Sequence, residues 1–296
     1  MTASPDIGRP AGAAAARFGH PNALWIAPPL LILAGSFFYP LSLIAGQALS
    51  DNAGAFSLAT IARVLASTQF HVAFLHTVEI SLAATAGCLA LGFVLALVVA
   101  FFPFPGSALL ARLIDTFIAL PTFLVALAFT FLYGSAGILN VSLMEALHLT
   151  LPPVDFVYSA WGVILAEVTV YMPFVMRPLL AAFSLIETSQ IEVAASLGAG
   201  FWRIVRQIIL PAALPALLAG GSLCLLLTVN EFGIVLFIGA KGVITLPLLV
   251  YDKAIQEFDY GTACVIAVVN ILLSLGLYFL YRFVVGRYGG RHAGLV

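Results

Sequence analysis

Long apolar runs separated by short polar stretches dominate this chain of 296 residues. Six runs are long enough to cross about 30 Å of hydrocarbon at about 1.5 Å per helical residue. They fall near residues 24–49, 77–102, 113–133, 158–183, 212–238 and 262–285. The pattern predicts an all-α, polytopic membrane protein with six transmembrane helices. Residues 1–23, rich in Ala, Gly and Pro, read as a disordered cytoplasmic tail. The membrane domain then spans 24–285, and 286–296 form a second cytoplasmic tail. The first run is too long for the apolar region of a signal peptide, and its positive flank is weak.

Composition strengthens this reading. The chain is 62% hydrophobic and 8% charged, where soluble domains average about 25% charged. Such a chain lacks a wettable surface, so its solvent is membrane lipid. A net charge of −1 gives no sign of nucleic-acid binding. Cys88, Cys224 and Cys264 sit inside apolar runs, with no CxxC or Cys/His cluster. Neither a disulfide framework nor a metal site follows, and no cofactor is expected. The basic residues set an orientation. With the N-terminus inside, the cytoplasmic side holds Arg9, Arg17, Arg112, Arg177, Arg203, Arg206, Arg282, Arg287 and Arg291. The outer side holds only Arg63, Lys241 and Lys253, nine against three of the 12 basic residues. Both termini are then cytoplasmic. Pro28, Pro29, Pro40, Pro121, Pro173, Pro178, Gly220 and Gly221 fall within the runs. They bend helices or let them approach closely.

One cytoplasmic interruption is more structured than a connector needs to be. Ser189-Gln190-Ile191-Glu192 reads as a capping box opening a short helix through Ala194, Ala195 and Leu197. Gly198 is placed to close it. A second helix is expected from about Gly200. Its Phe201, Ile204, Val205, Ile208 and Ile209 form one apolar stripe, with Arg203, Arg206 and Gln207 facing elsewhere. Pro211 is expected to separate this helix from the next span. The result is a helix–Gly–helix elbow over 187–211. Its small residues let a partner come close, and its aromatics Phe201 and Trp202 suit an interface pocket.

This segment resembles the EAA motif of permease subunits in bacterial ABC importers. The motif reads Glu-Ala-Ala, three residues, Gly, nine residues, Ile-x-Leu-Pro. Glu192, Gly198, Ile208, Leu210 and Pro211 fit its spacing, while Val193 stands at the first motif Ala and Ala194 and Ala195 follow. Tyr133–Asn140, Asn230-Glu231-Phe232-Gly233 and Phe258-Asp259-Tyr260-Gly261 also look like family segments, so the resemblance covers about 24–285. It implies a type I importer permease fold in the bacterial inner membrane. It implies that Glu192, Ala194, Ala195, Gly198, Phe201, Trp202 and Pro211 belong to a coupling element docked on an ATPase subunit. The partners it implies are the ATP-binding cassette subunits, a second permease (identical or related) and an extracytoplasmic solute-binding protein. The chain has no G-x-x-x-x-G-K-[ST] loop. It is therefore expected to be a transport subunit, not an enzyme. Residues 230–247 are similar to permeases for 2-aminoethylphosphonate, and the chain is also similar to polyamine, sulfate, ferric-iron and thiamine importers.

Acids within a span mark candidate functional positions. Glu167 and Glu231 both fall about 10–12 Å below the expected outer surface. With Asn230 they are candidates for a translocation path, and Tyr171 and Asn270 add hydrogen-bonding groups nearby. Neutralising Glu231 is expected to slow transport more than neutralising Glu79, which begins span two. Asp115 is expected to pair with Arg112. His71, His76 and His148 are expected in solvated or capping roles. A proton-coupled secondary transporter using Glu167 and Glu231 is the competing function from another class, but it leaves the elbow unexplained.

Overall fold

The computed structural model describes residues 23–50, 55–102 and 104–289. The expected N-terminal tail, Ala23 apart, lies outside these residues. So does the expected C-terminal tail beyond residue 289. The chain divides into two compact units at Ile44/Ala45. Helix α1, Ala23–Ala48, supplies the described part of the first unit and carries Pro28, Pro29 and Pro40 inside it.

The second unit holds the remaining helices: α2 (Ala59–Leu65), α3 (Thr68–Phe101), α4 (Ser107–Thr116), α5 (Thr122–Tyr133), α6 (Ile138–Leu147), α7 (Ala160–Phe183), α8 (Thr188–Ser196), α9 (Phe201–Ile204), α10 (Leu210–Val229), α11 (Gly233–Ile238), α12 (Leu246–Tyr251) and α13 (Tyr260–Gly289). Among the described residues, six helical segments are long and apolar enough to cross a membrane: 26–48, 68–101, 122–147, 160–183, 201–229 and 260–287. The all-α expectation holds across the described residues.

Three boundaries differ from the sequence reading. Helix α3 starts at Thr68 rather than near 77, because the Ser67 hydroxyl accepts from the Phe70 N–H and caps it. Glu79 therefore sits inside α3, exposed, and does not begin it. The expected helix over 113–133 is broken: α4 passes through a 3-10 turn at Phe117–Ala119 and stops at Leu120, and α5 starts after Pro121. Proline has no N–H and drives its predecessor out of helical geometry; Leu120 is extended at φ −83, ψ 133. The expected helix over 212–238 is broken at Asn230–Phe232, so Glu231 lies between α10 and α11.

Helices α3, α7 and α10 form the centre of the second unit. Their core includes Ala84, Cys88, Ala166, Val175, Leu179, Ala213 and Cys224. In lipid the hydrophobic effect does not drive helices together, so close packing must. Gly220 shows how: a Cβ there would stand 3.0 Å from the Phe174 carbonyl and the Val175 Cα. Two helix backbones meet where a side chain would hold them apart. A smaller core joins α2, α3, α12 and α13 through Val64, Phe70, Ala73, Leu249 and Ile266. At its edge the Asp259 carboxylate accepts from the Thr262 N–H and caps α13. Burial alone would raise that carboxyl. The Thr262 hydrogen bonds, with Arg63 and Lys253 nearby, outweigh burial and hold it below the usual aspartate range. The cap is therefore present at neutral pH and is lost only as pH falls through that lowered value.

Candidate functional site

The elbow is built from local signals. Helix α8 closes in a Schellman turn: the Ala199 N–H bonds to the Ala194 carbonyl at 3.0 Å and the Gly198 N–H to the Ala195 carbonyl at 2.9 Å. Gly198 sits at φ +82, a conformation that a Cβ disfavours. Its surroundings are open within 4 Å, so backbone geometry alone demands glycine there.

The expected capping box is not formed. The N-cap is Glu187, and Thr188 is already helical. Ser189 therefore lies within the first turn, and its hydroxyl donates to Glu187 Oε2 at 3.3 Å instead of accepting from the backbone. Helix α9 starts after Gly200, as expected. Pro211 does not separate it from the span. Helix α9, a π-turn over Val205–Ile209 and α10 run on without interruption. The Leu210 N–H reaches back five residues to the Val205 carbonyl. This widened turn carries the chain past a residue that offers no N–H.

The apolar stripe turns inward: Ile204, Val205 and Ile209 are buried, while Arg203, Arg206 and Gln207 are exposed. Helix α8 lays Ile191 and Ala194 on the core. Glu192, Ala195 and Gly198 face outward, and Pro211 is half-buried. The outer face is unusually apolar for a polar loop: Leu185, Val193, Leu197 and Trp202 are all exposed, Trp202 at 77%. Phe201 packs edge-on to Phe102 at 5.5 Å and to Trp202 at 5.3 Å. It borders a cleft of about 530 Å³ between the ends of α3 and α7 and the elbow. The two aromatics thus differ: Phe201 braces the elbow, and Trp202 projects from it.

The second feature is a buried polar layer. Glu231 bridges three elements. Its Oε1 accepts from the Ile234 N–H of α11 at 2.8 Å and from the Thr122 hydroxyl of α5 at 3.2 Å. Its Oε2 accepts from the Tyr171 hydroxyl of α7. Asn230, exposed beside it, accepts from Asn270 at 3.0 Å and donates to Ser274 at 3.2 Å, tying the break to α13. Thr85 and Thr228 pair at 3.2 Å between α3 and α10. Glu167 is 1% exposed and lies within electrostatic reach of Glu231 and Cys224. Its Oε2 has no hydrogen-bond partner among the described residues. The structure thus gathers the expected acids Glu167 and Glu231 with Asn230, Tyr171 and Asn270.

Thr122, Ser274 and the Thr85–Thr228 pair were not singled out by the sequence, because isolated hydroxyls in apolar runs look alike. Asn140 was read only as part of an outer loop. Fully buried, it clamps Val154 from both sides, bonding its carbonyl at 2.8 Å and its N–H at 2.9 Å. The side chain of Asp115 lies outside the described residues. His148 adopts the left-handed C-cap of α6 at φ 52, and His71 contacts the Ser67 carbonyl at 2.9 Å. His76 contacts the Ile244 carbonyl at 3.2 Å. Among the described residues, no three His, Cys, Asp or Glu side chains are placed to hold a metal ion.

Comparison with known proteins places this geometry in context. A protein of Salmonella typhimurium, provisionally named 2-aminoethylphosphonate transport system permease PhnU, is 61% identical over 268 residues, covering 90% of this chain and 94% of its own. The sulfate transport system permease CysT of Escherichia coli is 31% identical over 207 residues, 69% of this chain and 72% of its own. A solved bacterial ABC transporter involved in alginate import superposes with a TM-score of 0.77, at 17% identity, covering 90% of this chain and 95% of that one. An inward-facing MetNI methionine ABC transporter gives 0.51, at 18% identity, over 74% of this chain and 93% of that one. These structural likenesses establish the fold. Residues 89–290 match the family itself: the chain belongs to the binding-protein-dependent transport system inner membrane components.

Proposed function

We propose that this chain is the permease of an ATP-driven importer of 2-aminoethylphosphonate. The observation that carries the substrate is the 61% identity, over 90% of the chain, to the Salmonella relative of that name. The elbow supports the energy source. In this reading its exposed face, Glu192, Ala195, Leu197, Gly198 and Trp202, docks on an ATP-binding cassette subunit. Phe201, Ala194 and Pro211 hold the elbow to the bundle. A second permease, identical or related, completes the pathway, and a binding protein delivers the solute from outside. The permease makes no covalent bond and is not an enzyme; ATP hydrolysis belongs to the separate subunit. ATP binding and binding-protein docking then bias one equilibrium between inward- and outward-open bundles.

Within the polar layer, Glu231 and Asn230 fix the helix break that borders the path. Glu167, buried within electrostatic reach of Glu231, belongs to the same layer.

The substrate test is uptake of labelled 2-aminoethylphosphonate into proteoliposomes holding the permease, ATPase and binding protein. ATP-dependent accumulation is expected. Accumulation of sulfate or a polyamine instead would reject the substrate.

The orientation makes a separate prediction. Cysteines replacing Gly200 and Lys241 are expected to react with an impermeant maleimide from opposite sides, Gly200→Cys from the cytoplasm. Native Cys88 and Cys224 are buried; Cys264 is only half-buried and is replaced by serine beforehand, so that labelling reports the two introduced positions. Labelling of both positions from outside intact cells contradicts the cytoplasmic elbow.

A further inference from the structure

A polar cavity of about 560 Å³ opens among the turn joining α5 to α6, the loop joining α6 to α7 and the loop joining α11 to α12. Ser135, Asp155, Tyr158, Ser159, Gly239 and Lys241 line it. It lies at the end of the bundle opposite the elbow. Helix α7 runs from this loop to α8, and the chain returns through α9, α10 and α11 to the other.

Two features set this cavity apart from an ordinary surface dent. The first is rigidity on one wall. The segment carrying Asp155, Tyr158 and Ser159 is pinned by the Asn140 clamp on Val154. It is pinned again at Val157, which is fully buried and presses on α7 where a Cβ on Gly162 would overlap its carbonyl. The Ser159 hydroxyl donates back to the Phe156 carbonyl at 2.5 Å. Side chains held this way lose little freedom when they meet a ligand.

The second feature is charge. A carboxylate and an ammonium line the same cavity without forming an ion pair. The described residues supply no hydrogen-bond or ion-pair partner for the side chains of Lys241, Asp155, Tyr158 or Ser135, while Lys253 and Glu257, outside the cavity lining, do pair, at 2.8 Å. Lys241 stands on a turn between Gly239 and Gly242, at φ 61 and 76, so its wall is mostly bare backbone.

We infer that this cavity is a transit site for a small zwitterion bearing an amine and a phosphonate-type acid, with Asp155 receiving the ammonium and Lys241 the acid. The choice of ligand rests on the transport reading proposed above. A dianion such as sulfate satisfies Lys241 but faces the Asp155 carboxylate. A polyamine does the reverse. Only a ligand of both signs answers both groups, and Tyr158 and Ser135 add donors for acid oxygens. The volume falls in the small-molecule range of about 300–1,000 Å³. Asp155 and Lys241 are solvent-exposed, so binding is weak, as passage requires: a transit site must release what it admits.

The test uses the assembled complex of full-length permease and ATPase, without and then with binding protein. Phosphorus-31 line broadening is titrated with 2-aminoethylphosphonate and with ethylphosphonate, which lacks the amine. Wild type is expected to prefer the zwitterion by about fivefold, the scale of a single exposed ion pair. Asp155→Asn is expected to abolish that preference, and Lys241→Gln to weaken both ligands by a similar factor. Equal binding of the two ligands to wild type, binding of neither, or a preference retained in Asp155→Asn overturns the site.

The complex with binding protein separates the remaining cases. If the variants raise the concentration of binding protein needed to stimulate ATPase while the ligand preference persists, the cavity receives that protein and the proposal falls. Zwitterion preference without uptake rejects the transport reading and leaves the site standing. Uptake without preference does the reverse.

Discussion

Gly198→Val is expected to leave the permease inserted and assembled but to cut binding-protein-stimulated ATPase and uptake at least tenfold. The cause is the backbone. Gly198 sits at φ +82, where an L-residue costs about 1–2 kcal/mol and a β-branched one more. The Schellman bonds from Ala199 to Ala194 and from Gly198 to Ala195 exist only in that conformation. A residue that refuses it redirects the chain leaving α8. Glu192 and Ala195 then no longer share a surface with Trp202. Gly200→Ala is the matched control: its φ is −71, and nothing lies within 4 Å of the added methyl. That variant should keep near-wild-type activity. Equal losses in both would place the requirement in a partner's tight groove rather than in the turn. Wild-type stimulation and uptake in Gly198→Val would remove the elbow from coupling altogether.

What the sequence revealed follows the range of the interactions. The Gly198 turn was legible because all its bonds close within residues 193–199. The spans were legible because lipid imposes apolarity on every exposed face. The helix breaks at Pro121 and Asn230–Phe232 were not, since the apolar runs resume at once on the far side of each and read as single spans. A proline in a membrane helix either bends it or stops it, and only packing decides which. Pro211 shows the other outcome, absorbed in a π-turn. Ser189 had the right spacing to Glu192 for a capping box, yet Glu187 took the cap and the helix began two residues earlier. Glu231 and Glu167 were visible as acids in a span. The hydroxyls that hold Glu231 were not, because Thr122 is 109 residues away and Tyr171 is 60. No local pattern encodes those contacts.

That bracket has a large expected consequence. Glu231→Ala is expected to lower the yield of assembled complex severalfold and its thermal midpoint by several degrees. The substitution strips the acceptor from the Ile234 N–H and the Tyr171 hydroxyl, both on buried residues. A buried donor left unmade costs about 1–3 kcal/mol, so the pair costs about 4 kcal/mol. Three elements then lose their common tether: α5 through Thr122, α7 through Tyr171 and α11 through its first turn. Glu231→Gln separates geometry from charge. Its amide oxygen can still accept from Ile234, and the Tyr171 hydroxyl can rotate to accept from the amide N–H. Assembly should therefore stay normal, with uptake within about threefold of wild type. Glu79→Gln, at an exposed position on α3, should change neither. If Glu231→Gln assembles normally but uptake collapses, the negative charge itself serves passage, and Glu231 lines the path rather than bracing its border. If Glu231→Ala assembles as well as wild type, the bracket does not hold these helices together.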